Sequence, residues 1–233
     1  MKGQSLRLFW LVVLASLVFT MLVSGCSESP IPLPFEPTPL PPNMLVYDKT
    51  PVSLTIKTGT LLPGTSIAYQ GKTETGQAKV LMAGLLAPKQ VADTVDWQGT
   101  PVPNVNLKLT TRVATFDEQS ITLAGTARIE ISNVTVQPGG ASGTAQLEFK
   151  APVTFSVKHG EFIPGTRLAY AGSTAEGAQF LGLEGYPYRK QLDSLQYAGR
   201  LNPKVFLQLD LRVLSYSETG VVLGGTANIK IEQ

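Results

Sequence analysis

Apolar and polar residues alternate through most of the chain beyond residue 50. The runs Val52, Leu54, Ile56, then Val105, Leu107, Leu109, then Ile121, Leu123, Ala127, Ile129, Ile131 all keep this spacing. A period of two sends successive side chains to opposite faces of an extended chain, so each run predicts a half-buried antiparallel strand. No stretch of this region carries an apolar stripe at helical spacing. Phe116-Asp117-Glu118-Gln119 separates two such runs and predicts a long hairpin, and Tyr216-Ser217-Glu218-Thr219-Gly220 predicts a second. Pro63-Gly64 and Pro164-Gly165 fit type II turns, in which proline fixes φ at one central residue and glycine accepts positive φ at the next.

The pattern recurs along the chain. Residues 51–91 align with 152–192 and, past a one-residue gap opposite Ala92, residues 93–131 align with 193–231. The shared blocks are Lys57-x-Gly59-x-x-x-Pro63-Gly64-Thr65-x-x-Ala68-Tyr69-x-Gly71 against Lys158-x-Gly160-x-x-x-Pro164-Gly165-Thr166-x-x-Ala169-Tyr170-x-Gly172, and Leu123-x-Gly125-Thr126-Ala127-x-Ile129-x-Ile131 against Leu223-x-Gly225-Thr226-Ala227-x-Ile229-x-Ile231. The expected fold is all-β, two tandem antiparallel β-barrel or β-sandwich repeats of about 80 residues packed together. A unit of that size without disulfides buries only about 60% of its unfolded surface, so mutual packing would add stability. Val134-Thr135-Val136 and Ala145-x-Leu147-x-Phe149 flank a Gly-rich tip, Pro138 to Gly143, and predict a connecting hairpin.

The first 50 residues follow a different rule. Lys2 and Arg7 precede an apolar run from Leu8 to Val23, shorter than the roughly 18 residues of a spanning helix, and the run ends at Val23-Ser24-Gly25-Cys26. These residues resemble the signal peptide and lipobox of bacterial lipoproteins, with Val where Leu is commonest and Ser where Ala is commonest. The resemblance covers residues 1–26 and implies that Cys26 becomes the mature N-terminus. There it would carry acyl chains such as palmitate and hold the protein on the extracytoplasmic side of a bacterial membrane. Two or more chains anchor stably, because each buried methylene contributes about 0.8 kcal/mol. Pro30, Pro32, Pro34, Pro37, Pro39, Pro41 and Pro42 follow, a density that excludes helix and sheet interior. Extended polyproline II rises about 3.1 Å per residue, so twenty such residues span on the order of 60 Å. The expected organisation is a signal peptide over 1–25, lipidated Cys26 and a Pro-rich tether over 26–50, repeat one over 51–131, a connecting hairpin over 132–151 and repeat two over 152–233.

Composition narrows the chemistry. Removing Lys2 and Arg7 from the 19 Lys+Arg leaves as many cations as the 17 Asp+Glu, and a neutral chain lacks the excess that drives phosphate-backbone binding. No nucleic-acid partner is expected. One His and one Cys exclude an intramolecular disulfide and a Cys/His zinc cluster, and no Asp-rich loop has calcium-binding spacing, so neither metal nor cofactor is expected. Paired acids at Asp93 and Asp193, or at Glu118 and Glu218, are the one arrangement that would suit a hydrolase. Such residues more often serve turns or face solvent, so no enzymatic activity is expected.

Candidate contacts with a ligand or partner are Tyr186, Tyr188, Arg189 and Lys190, where Tyr and Arg combine as in binding hot spots, and Arg112 and Arg212 on the polar faces of the long hairpins. Trp97 and Tyr197 are assigned to the cores. The sequence thus predicts a membrane-tethered, non-enzymatic binding or assembly module of the bacterial cell envelope, with a protein or a cell-wall polymer as partner. The alternatives are an accessory subunit of a larger membrane complex and, behind it, a carboxylate-dependent hydrolase.

Overall fold

The computed structural model describes residues 43–140 and 146–232, and over these residues the protein is all-β with no helix. Cys26, the signal-like segment and the Pro-rich run lie outside the described residues. The strands are β1 (Leu45–Lys57), β2 (Thr60–Leu61), β3 (Ile67–Lys72), β4 (Ala78–Met82), β5 (Leu85–Lys89), β6 (Trp97–Val102), β7 (Val105–Phe116) and β8 (Ser120–Ile131), then β9 (Gln137–Pro138), β10 (Leu147–Lys158), β11 (Ala169–Thr174), β12 (Gly177–Leu181), β13 (Tyr188–Arg189), β14 (Ser194–Asn202), β15 (Val205–Ser217) and β16 (Gly220–Ile231).

Four antiparallel sheets result, with orders β1-β8-β7-β6, β2-β3-β4-β5, β10-β16-β15-β14-β9 and β11-β12-β13. None closes on itself, which corrects the expectation of barrels. The long hairpins form where the alternation predicts them. Asp117 and its neighbours turn β7 into β8, and Leu107, Leu109, Val113, Ile121, Leu123, Ile129 and Ile131 fill one buried face. Hairpin β15–β16 buries Leu207, Leu209, Val213, Leu223, Ile229 and Ile231 in the same way. These residues belong to one contiguous apolar core running through both ends of the described chain.

Both long hairpins need glycine at one close approach. A Cβ on Gly125 would lie 2.2 Å from the Thr110 carbonyl oxygen, and one on Gly225 would lie 2.1 Å from that of Asp210. The facing strands therefore close to a distance that no larger residue permits, next to the first strand of each sheet, which pairs Val52 with Gly125 and Val153 with Gly225.

Two buried tyrosines pin the small sheets to the hairpin tips. Tyr69 on β3 donates its hydroxyl to the Asp117 carbonyl, and Tyr170 on β11 donates to the Ser217 carbonyl. Both rings are fully buried, so the apolar body fills core while the polar end meets a carbonyl at a hairpin tip. Burial raises both hydroxyl pKa values, with Glu118 and Asp117 adding at Tyr69 and Glu218 and Tyr216 adding at Tyr170.

Several boundaries differ from the sequence expectation. Strand β1 begins at Leu45 inside the expected tether, because Tyr47 is buried and Leu45 pairs with Ile131. Strand β10 begins at Leu147 inside the expected connecting hairpin, since Leu147, Phe149 and Ala151 are buried against β16. That hairpin does not form among the described residues. Gln137 and Pro138 pair instead with Arg200 and Gly199 on β14, and the Thr135 amide donates to the Leu201 carbonyl. The one-residue gap also moves. Tyr69 faces Val80 as Tyr170 faces Phe180, so the missing residue falls in the β11–β12 turn and not opposite Ala92.

Candidate functional site

A cavity of about 670 Å³ opens between β14 and the segment joining β12 to β13. That volume is in the range of small-molecule sites. Its floor is apolar, from Leu168 and Leu183, and its rim is polar, from Arg167, Glu184 and Arg189. Tyr197 forms a wall. Its ring folds over Gly199, and the sequence expectation of a core position is met only in part, since the ring is half-buried. The Tyr197 hydroxyl oxygen is shielded from solvent and faces the Arg167 main chain without completing a hydrogen bond. Burial raises its pKa, and the Arg167 amide and charge work against that rise.

The β12–β13 segment owes its shape to local sequence. Pairing between these strands stops at Gln179 with Tyr188, although the Phe180 amide still donates to the Pro187 carbonyl at 2.9 Å. Pro187 has no N–H to return that bond, so the ladder ends there. Gly182 takes φ of 83°, and a Cβ on it would lie 2.5 Å from the Arg167 carbonyl oxygen. Only glycine allows the chain to turn away so close to Arg167, and the turn leaves the cavity beneath it.

Arg189 is held in an unusual manner. Its Nε donates to the Ser194 carbonyl at 3.0 Å, and its Nη1 donates to the Tyr186 and Tyr188 carbonyls, both at 2.7 Å. Three carbonyls therefore fix the guanidinium, and no carboxylate forms a salt bridge with it among the described residues. Tyr186 and Tyr188 stack edge to face beside it with centroids 5.4 Å apart, and the exposed Tyr186 hydroxyl reaches Glu176 at 3.4 Å.

The remaining predicted residues do structural work. Lys190 offers its amide to Asp193 at 2.7 Å, and its side chain is exposed. Arg112 Nη1 donates to the Ala92 carbonyl and Arg212 Nη1 to the Leu192 carbonyl, each at 2.9 Å. Ala92 and Leu192 both carry positive φ, 72° and 70°, so each arginine braces a strained bend beside its hairpin. Asp93 and Asp193 are committed to the same bends, accepting the Gln90 and Lys190 amides at 2.7 Å. No cluster of three or more metal-ligating side chains occurs among the described residues.

Sequence reasoning singled out Arg189 and its tyrosines but missed Arg167 and Glu184, and it placed Tyr197 in the core. The signal was present in the alignment. Ser66 aligns with Arg167 and Trp97 with Tyr197, and in the N-terminal half Trp97 Nε1 donates to Ser66 Oγ at 3.1 Å. A paired exchange of two touching residues marks a changed environment. Comparison with protein-family models, with curated proteins and with solved structures yields no match.

Proposed function

We propose that the protein is a membrane-tethered, non-enzymatic binding or assembly module of the bacterial cell envelope, its described region a duplicated β unit whose two copies pack on each other. The observation that carries the binding reading is the cavity beside Arg189. A rigid cationic and aromatic rim over an apolar floor suits recognition, and Asp93 and Asp193 accept backbone amides at their bends. The duplication is supported by the corresponding runs β1-β8-β7-β6 and β10-β16-β15-β14 and β3-β4-β5 and β11-β12-β13, and by the tyrosine anchors at Tyr69 and Tyr170. The lipid anchor rests on the likeness at Val23-Ser24-Gly25-Cys26, and the partner is a protein or a wall polymer. Purification of the C-terminally tagged chain from detergent-solubilised membranes, with a Cys26→Ser control, tests this reading. Retention of protein or wall material that depends on Cys26 is expected, and a chain that comes down alone in both samples would count against it.

A second reading, an accessory subunit of a larger membrane complex, is favoured by the β4–β5 hairpin. Leu85 is 76% exposed and Leu86 53% exposed at its tip, with Leu81 paired to Leu86 and Met82 to Leu85. An apolar tip of this kind suits a protein contact. Leu85→Ser with Leu86→Ser should then strip protein partners from the purified chain while leaving wall material in place.

A further inference from the structure

We infer that the cavity between β14 and the β12–β13 segment is an anion site, taking a small ligand by its carboxylate or phosphate group. This deepens the binding reading above and rests on it. The argument starts from Arg189. Its Nε–H and both Nη1 hydrogens go to carbonyls, which fixes the side chain and leaves the two Nη2 hydrogens without an acceptor among the described residues. Carbonyl dipoles orient a guanidinium but do not neutralise it. An arginine held rigid without a counter-ion has already lost the rotamer freedom that ligand binding would otherwise take from it.

A second cation stands on the same rim. Arg167 is exposed and forms no ion pair or side-chain hydrogen bond among the described residues. The cavity wall thus holds two arginines against one acid, Glu184, which is itself exposed and unpaired there. Guanidinium groups are suited to carboxylate and phosphate because their planar N–H pairs match two oxygens at once. The Tyr197 ring lines the cavity beside these charges, its hydroxyl shielded from solvent and turned to the Arg167 main chain. The N-terminal half lacks this arrangement. Lys89 stands where Arg189 stands, each opposite the alanine of its neighbour strand, Ala78 or Ala178, and Ser66 takes the place of Arg167.

Titration calorimetry on the detergent-solubilised full chain tests the site with three probes: inorganic phosphate, the dipeptide alanyl-alanine, and that dipeptide's C-terminal amide. Saturable heat from phosphate or from the free dipeptide, but not from the amide, is expected. Stronger binding of one over the other identifies the source of the anion. Arg167→Gln should weaken the bound probe about tenfold, which corresponds to about 1.4 kcal/mol, and leave Tm unchanged. Arg189→Lys keeps the charge but loses the fork, and should weaken it at least as much. Because Arg189 also pins its loop, the Arg167 variant alone carries the test if the Arg189 variant unfolds. Absence of saturable heat from both phosphate and dipeptide, equal binding of the amide, or an Arg167→Gln chain that binds as the parent does would overturn the inference. Envelope material retained equally by the parent and by Arg167→Gln would sink the anion site and leave the binding reading standing, whereas no retention by either would remove both.

Discussion

The β4–β5 hairpin and the β12–β13 segment begin alike and finish differently. Ala78 faces Lys89 and Lys79 faces Pro88 in one, and Ala178 faces Arg189 and Gln179 faces Tyr188 in the other. From there β4–β5 keeps its ladder to Met82 and Leu85 and turns through Ala83 and Gly84, both at positive φ, as a two-residue hairpin turn requires. In the C-terminal half Pro187 replaces Ala87 and removes one N–H from the ladder, while Gly182 and Gly185 at positive φ carry the chain outward. The same framework thus supports a closed hairpin with an apolar tip or an open segment above a polar cavity. The choice falls to a few residues outside the core, so the surface there can change without cost to the buried strands.

Exchanging residues 184–190 for the sequence of residues 84–90 should break that comparison most completely. The chain is expected to fold with an unchanged Tm and to lose all heat with the anionic probes. Retained heat would place the site elsewhere. The shared framework is probed by Gly125→Ala and Gly225→Ala, each of which drives a methyl group into a strand backbone and should cost about 3 kcal/mol or more. Since the apolar core is contiguous, each should lower a single thermal transition by a similar amount. A calorimetric scan with two transitions, only one of which moves in each variant, would instead make the halves independent.

A smaller loss is expected at the tyrosine anchors. Tyr69→Phe and Tyr170→Phe leave a turn carbonyl without its donor, and each should cost about 1 kcal/mol by denaturant titration. Unequal losses would show that one tip is better hydrated than the other. The smallest effect separates the tips by pH. Backbone amides of Gln119 and Ser120 hold the Asp117 carboxyl below the ordinary aspartate range, and Ser217 takes its place in the other turn. A depressed folded-state pKa contributes stability that is fully present above the unfolded value and fades as pH falls through the folded one. Asp117→Asn should therefore lower Tm slightly at neutral pH and leave it unchanged in strong acid, while Ser217→Ala should show no such dependence.

Strand positions were legible because alternation is a local property. Each apolar run of β7, β8, β15 and β16 could be read without knowing its neighbours, and the Pro-Gly turns at Gly64 and Gly165, with φ of 69° and 76°, follow from residue stereochemistry alone. Arg189 and its tyrosines were visible as a break in the aligned blocks. Arg112 and Arg212 were visible too, but their bracing of Ala92 and Leu192 was not, since backbone strain leaves no mark in composition.

The sequence by itself determined an all-β chain, the places of its long hairpins and the likeness at Cys26 to a lipidated N-terminus. Tertiary structure decided which strands pair at long range. Strand β1 meets β8 and β10 meets β16 across more than half of each half-chain, and Gln137–Pro138 leaves its expected neighbour for β14. Periodicity fixes which face of a strand is buried, but the partner is chosen by the competition of all apolar faces for one core. The cavity belongs to the same class of fact. Arg167 lies in the bend before β11, Arg189 on β13 and Tyr197 on β14, and only the packing of these segments around Gly182 brings them to one cavity.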